Sequence, residues 1–103
     1  MDWKQLVTKL GHHVPAGRVT TYSEVSLWGY GRANLNQPVR SLLRGAANHG
    51  HQQLTNRVVR VDGRLADLPE GSDQQRRQLI DEGIPFTIDG SVDFDRISPV
   101  TLG

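Results

Sequence analysis

Turn signals divide this chain at short intervals and limit it to brief elements that must share a core. Pro15-Ala16-Gly17, Gly29-Tyr30-Gly31, Asp62-Gly63, Pro69-Glu70-Gly71 and Asp89-Gly90 combine residues that fix φ or tolerate left-handed backbone. No apolar run between them approaches the roughly 20 residues needed to cross a bilayer. There is no internal repeat, low-complexity tract or linker. The 103 residues fit one compact domain. Residues 1–98 are assigned to it, with 99–103 as a flexible tail. Hydrophobic residues make up only 36%, so Trp3, Trp28, Tyr22, Tyr30, Phe86 and Phe94 are expected to seed the core. The opening Met1-Asp2-Trp3-Lys4-Gln5 lacks the basic-then-apolar pattern of a secretory signal, which fits a cytoplasmic protein.

The periodicity then places elements. Trp3, Leu6, Val7 and Leu10 follow helical spacing behind Asp2 as N-cap, with the end at Gly11 or before Pro15. Arg18–Tyr22 is brief and β-branched. Thr21 or Ser23 caps a second helix through Val25, Leu27 and Trp28. Asn36 or Gln37 caps a third, with Pro38 in an early position where its missing N–H costs nothing. Val39, Leu42 and Leu43 give that helix an apolar face, while Arg40, Ser41 and Arg44 lie elsewhere on its surface. Residues 57–65 read as a hairpin about the Asp62-Gly63 turn, and 86–93 as a second about Asp89-Gly90. Ser72 caps a last helix through Arg76, Leu79 and Ile80, ended by Gly83. The fold class is therefore mainly α with a small β-hairpin (α+β), in the order of a winged helix-turn-helix.

Charge and cysteine usage narrow the chemistry. The net charge is +1, but between residues 32 and 64 six arginines face one acid, Asp62. Arg32, Arg40, Arg44, Arg57, Arg60 and Arg64 offer planar donor forks suited to phosphate and base edges, and no lysine is among them. The chain contains no cysteine, which excludes disulfides, thiolate metal sites and a thiol nucleophile. His49 and His51 bracket Gly50, but His12-His13 are distant and no carboxylate pattern accompanies them, so no metal site or cofactor is expected.

Three motifs carry a resemblance. Pro15-Ala16-Gly17-Arg18-Val19-Thr20-Thr21-Tyr22 resembles the P-x-G-x-V-x-T-Y stretch of the alkylguanine-DNA alkyltransferases and the alkyltransferase-like proteins. Asn56-Arg57-Val58-Val59 followed by Asp62-Gly63 resembles their active-site segment, P-C-H-R-V-V…G or P-W-H-R-V-[IV]…G. Arg76-Arg77-Gln78-Leu79-Ile80-Asp81-Glu82-Gly83-Ile84 resembles their closing R-Q-x-x-L-x-x-E-G-[IV] helix. Together they cover nearly the whole chain in order. The resemblance implies a winged helix-turn-helix that binds the minor groove of double-stranded DNA and flips an alkylated guanine into a pocket, because the target atom is unreachable in a stacked duplex. In the alkyltransferase-like proteins no thiol accepts the alkyl group; the lesion is bound and passed to nucleotide excision repair.

The departures bear on mechanism. Thr55 stands at the cysteine position, and a hydroxyl without an adjacent base is a poor nucleophile. Asn56 replaces the activating histidine and cannot act as a base. Leu54 replaces the usual proline. The resemblance therefore implies a non-enzymatic protein whose degenerate lesion pocket holds Tyr22, Thr55, Asn56 and Arg57. Gln37 falls at the place of the family's intercalating arginine, with Arg40 one turn on. DNA contacts are expected from Gln37, Arg40, Ser41, Arg44, Arg60 and Arg64, with Arg32 as a further phosphate contact, and Tyr22 is expected to press on the target phosphate. Asp67, Glu70 and Asp73 place acids where the pocket-lining loop would face DNA. Trp3 and Trp28 are expected in the core. The expected protein is a monomer with no membrane association. The alternative is a diverged winged helix that has lost lesion recognition and binds DNA generally or a protein partner.

Overall fold

The computed structural model describes residues 1–65 and 69–103. Asp2 opens α1 (Trp3–His13) through a reciprocal capping box: its carboxylate accepts the Gln5 N–H, and Gln5 Oε1 accepts the Asp2 N–H, each at 3.0 Å. The helix runs past Gly11, because glycine is tolerated where packing already holds the backbone, and stops before Pro15. The turn that follows leads into β1 (Thr20–Thr21). Thr21 Oγ1 accepts the Glu24 N–H at 3.2 Å and caps α2 (Tyr22–Tyr30), which Gly31 ends at φ +73.

The third helix, α3 (Asn36–Ala46), is capped one residue before the first expected position. Leu35 is its N-cap and supplies no side-chain hydrogen bond. The reason lies in α2. Ser26 is fully buried, donates its hydroxyl to the Arg32 carbonyl and accepts the Leu35 N–H at 2.9 Å. One hydroxyl thus satisfies the connecting turn and sets where α3 starts. After α3 the chain kinks through Ala47–His51, with Gly50 at φ +92, into the short α4 (Gln52–Thr55) and then β2 (Val58–Val59).

The expected hairpin over 57–65 is corrected here. β2 pairs in parallel with β1, Thr20 opposite Val58 and Thr21 opposite Val59. The Asp62-Gly63 turn does close, with Gly63 N–H to the Arg60 carbonyl and Arg60 N–H to the Arg64 carbonyl, both at 2.9 Å. Its far side is tied to Val92, whose N–H reaches the Gly63 carbonyl at 2.8 Å. The second hairpin forms as expected: Phe86 bridges Val92 in antiparallel fashion and Thr87 N–H meets the Ser91 carbonyl at 2.7 Å. The last helix, α5 (Pro69–Asp81), starts ahead of Ser72. It ends in a Schellman motif, Ile84 N–H to Leu79 carbonyl and Gly83 N–H to Ile80 carbonyl, while Leu79 and Ile84 pack together below it.

Why β2 chooses β1 follows from the packing. Successive strand residues point to opposite faces, and the two faces of β2 meet two different clusters. Val58 packs with Leu6, Leu10, Val14, Val25, Val39 and Leu43, the core of α1–α3. Val59 packs with Val19, Leu65, Leu79, Ile84 and Val92. The short parallel pair is the partition between them. Both clusters are aliphatic: Tyr22, Trp28 and Tyr30 sit at the rim of the first, and Phe86 and Phe94 at the rim of the second, so the aromatics edge the core that they were expected to seed. Ile80, read as part of an apolar helix face, is 55% exposed.

Residues 99–103, expected as a flexible tail, are also corrected. Val100 N–H reaches the Val19 carbonyl at 2.7 Å, Thr20 Oγ1 donates to the Val100 carbonyl at 2.7 Å, and Leu102 lies buried in the first cluster with its N–H on Glu24. Burial of Leu102 offsets the ordering cost that a polar tail could not. Among the described residues no helix is long and apolar enough to cross a membrane.

Gly63 carries a specific steric demand. It sits at φ +88, and a Cβ there would lie 2.5 Å from the Val92 carbonyl oxygen. Gly63→Ala is expected to cost roughly 2–4 kcal/mol. Gly31→Ala, at φ +73 with open space around it, is expected to cost about 1 kcal/mol. Urea denaturation of the two variants checks this; equal losses would rule out the close approach as the cause.

Candidate nucleic-acid interface

Helix α3 has two chemically distinct faces. Val39, Leu42, Leu43 and Ala46 are buried against α1 and α2. Gln37, Arg40, Ser41 and Arg44 are all exposed, and their i, i+3, i+4, i+7 spacing puts them in one row on the opposite side. The row presents two guanidinium forks one turn apart, with a neutral amide ahead of them and a hydroxyl between. Arg44 also lies in the last turn, where a cation complements the helix dipole. The site residues expected on this helix therefore share one surface.

The other cations differ in setting. Arg32 is exposed in the turn between α2 and α3. Arg64 is exposed, but its Nε lies 3.4 Å from Asp62 Oδ2, with both side chains more than half in solvent, a pairing worth little. Arg60 is half-buried. Tyr22 is the first residue of α2, directly after β1, and rests half-buried on the first hydrophobic cluster. The strand pairing thus fixes the backbone from which Tyr22 leaves. Of the expected acidic loop, Asp67 lies outside the described residues, as does the side chain of Glu70; Asp73 is exposed.

The residues at the expected lesion pocket are engaged with the protein itself. Thr55 is 8% exposed, and its hydroxyl donates to the Gln52 carbonyl at 3.1 Å. Asn56 is equally buried and gives its amide to Gln78 Oε1 at 2.9 Å. Arg57 turns inward, away from any ligand. Its Nε and Nη2 clasp Glu82 in a bidentate pair, at 3.0 Å to Oε1 and 2.7 Å to Oε2, and its Nη1 reaches the Val14 carbonyl at 3.2 Å. The expectation that Arg57 lines the pocket is corrected to a structural role joining α1, β2 and the end of α5. Burial pushes the Glu82 carboxyl up, but the Arg57 guanidinium and the Gln78 amide outweigh it and hold the group below the ordinary glutamate range.

Sequence reasoning missed the amides that complete this network. Gln75 is 4% exposed and donates to the carbonyls of Asn56 at 2.9 Å and Val58 at 3.1 Å. Gln78 donates to the Gln53 carbonyl at 2.7 Å and to Glu82 Oε2 at 3.2 Å, and Gln52 donates to Gln74 at 2.9 Å. The available signal was the spacing of Gln74, Gln75, Gln78 and Glu82, a polar stripe at helical period. That stripe locks α5 onto α4 and the start of β2 through hydrogen bonds of its amides and of the Glu82 carboxylate.

Trp3 and Trp28 also differ from the expected core placement. Trp28 is half-buried with Lys9 Nζ at 5.5 Å over its ring. Trp3 stacks on His49 with ring centroids 4.2 Å apart and planes at 17°, while His51 tilts against it at 5.7 Å. Among the described residues no group of three or more metal-ligating side chains gathers here or elsewhere.

No family model and no curated protein matches the chain. Among solved structures, it superposes on S. pombe Atl1, an alkyltransferase-like protein, determined in complex with damaged DNA containing O6-carboxymethylguanine. The TM-score is 0.67 at 22% identity, and the match covers 93% of this chain and 95% of Atl1. With its α2–α3 helix-turn-helix, its small sheet and its α5 in place, the chain has the fold of the alkyltransferase-like protein Atl1 over nearly its whole length.

Proposed function

We propose that this is a non-enzymatic DNA-binding protein that uses α3 to engage the minor groove of duplex DNA carrying an alkylated guanine. The observation that carries the reading is the exposed row Gln37, Arg40, Ser41 and Arg44, set opposite the apolar face of α3 on a fold shared with a protein solved on damaged DNA. Arginine forks positioned by a buried apolar face are suited to phosphates along a groove. Tyr22, leaving the end of β1, presses on the phosphate of the target nucleotide, and Gln37 enters the stack when the base turns out.

Alkyl transfer has no support in the side chains present. Thr55 is the nucleophile position, yet its proton is given to a backbone carbonyl, and its neighbour Asn56 offers an amide where a base would be required. In this reading lesion binding is a signal, and a nucleotide excision repair protein that reads the bound complex supplies the chemistry.

A second reading has its own observation. Thr55 and Asn56 are both about nine-tenths buried and hydrogen-bonded internally, the arrangement expected where lesion recognition has been lost and general DNA binding kept. Fluorescence anisotropy with a labelled duplex carrying one O6-methylguanine, against the same duplex unmodified, separates them. The damage-binding reading expects at least tenfold tighter binding to the lesion, about 1.4 kcal/mol of discrimination. Equal affinities would leave the general DNA-binding reading in its place.

A further inference from the structure

We propose that His49 is a proton-linked phosphate contact at the flank of the α3 row, held in place by Trp3. The inference rests on the DNA-binding reading above and adds to it a site and a chemistry that the motif residues do not supply.

The geometry comes first. The backbone stays helical through Ala47 and Asn48, so Asn48, four residues after Arg44, continues the exposed row. His49 leaves the helix at φ −99, ψ 17, ahead of Gly50, and its ring folds back toward α3. There its Nδ1 lies 2.7 Å from the Gly45 carbonyl oxygen. Trp3 of α1 packs beside Gly45 and lies nearly parallel to the imidazole at 4.2 Å. An exposed imidazole is thus immobilised at the side of the row. A helix is about 10–12 Å across and the minor groove about 6 Å wide, so the flanks of a helix entering it run along the sugar–phosphate backbones.

The hydrogen bond decides the protonation chemistry. A carbonyl oxygen only accepts, so His49 Nδ1 carries a hydrogen. In neutral imidazole the other nitrogen, Nε2, then holds a bare lone pair, which repels a phosphate oxygen. Nε2 donates to phosphate only after taking up a proton, and the contact forms as an imidazolium. The Trp3 ring face favours that cation. Lys4 Nζ of α1 lies 5.8 Å from the Trp3 ring and His51 tilts against that ring at 5.7 Å, while Arg44 immediately precedes Gly45 in the last turn of α3. No carboxylate among the described residues pairs with the His49 ring. A phosphate oxygen at Nε2 favours the imidazolium over the neutral ring. DNA binding and proton uptake at His49 are therefore coupled, and each favours the other.

The test uses the full chain and an unmodified duplex, followed by anisotropy at pH 8 and pH 6 across a salt series. The native protein is expected to bind roughly tenfold tighter at pH 6, with the log–log salt slope steeper by about one ion, the mark of one added phosphate contact. H49F, which keeps a ring on Trp3 but has no Nε2, is expected to lose that tightening, while H51F retains it. A second readout needs no affinity measurement: in W28F, Trp3 emission is quenched as His49 protonates, and the midpoint moves to higher pH when duplex is added. DNA binding that is indifferent to pH, or an H49F response equal to the native one, would overturn the proposal and leave the DNA-binding reading standing. Absence of binding at either pH would sink both.

Discussion

Replacing Arg57 with methionine is expected to lower stability by about 3–5 kcal/mol, because it strands the Glu82 carboxylate with its main partner gone. That is a large share of the roughly 5–15 kcal/mol that holds a domain of this size together, and it corresponds to a fall in Tm of roughly 15–20 °C. Both side chains are at most 10% exposed, and the pair joins residues 25 positions apart in sequence, so no local substitute exists. Arg57→Met combined with Glu82→Gln should recover most of the loss, since neither charge is then left alone. Thermal unfolding of the three proteins checks this, and a double variant as unstable as the single one would show that shape, not charge, is responsible.

The same pair sets an acid limit. Because the folded-state pKa of Glu82 is lowered, the stability it contributes is complete above the ordinary glutamate value and is lost as pH falls through that value toward the lowered one. In Arg57→Met this acid-side loss should shrink, because the main cause of the lowering is gone. An unchanged acid limb would assign the pH dependence to other carboxylates.

The second large effect is on binding. Arg40→Ala with Arg44→Ala removes both cations from the α3 row, and both side chains are exposed, so folding should be unaffected. If each meets one phosphate, the salt slope falls by about two and affinity at low salt drops roughly 100-fold. Ser41→Ala lies between them without charge and should change the slope little. Affinity that survives the double substitution would move the interface off α3, and the Arg32 turn between α2 and α3 would be examined next.

Much of the local architecture was legible because short-range chemistry wrote it. Asp2 with Gln5, Thr21 with Glu24, Gly31 and Asp89-Gly90 each act within four residues, and each lies where the side chains alone placed it. The outward row of α3 followed from helical period and from its apolar partners. The α3 cap was missed because it is supplied from outside: Ser26, nine residues before Leu35, satisfies the turn, and nothing near Asn36 reveals it. The aromatics were misplaced for a related reason. A core built from Leu and Val on short elements fills with small branched side chains, and the larger rings are left to cover its edges.

What the sequence by itself determined is the helices α1, α2, α3 and α5, the absence of a thiol, and the outward arginines of α3. All three depend on residue identity and on spacing within a few turns. The tertiary structure alone decided which strand β2 would join, that Arg57 faces inward, that the last residues dock beside Val19 and Thr20, and that His49 lies on Trp3. Those contacts link positions tens of residues apart, up to 80 for Thr20 and Val100. Period and propensity do not choose among distant partners; burial of Val58 and Val59 in two separate clusters, and the cost of leaving a buried charge or carbonyl unpaired, do.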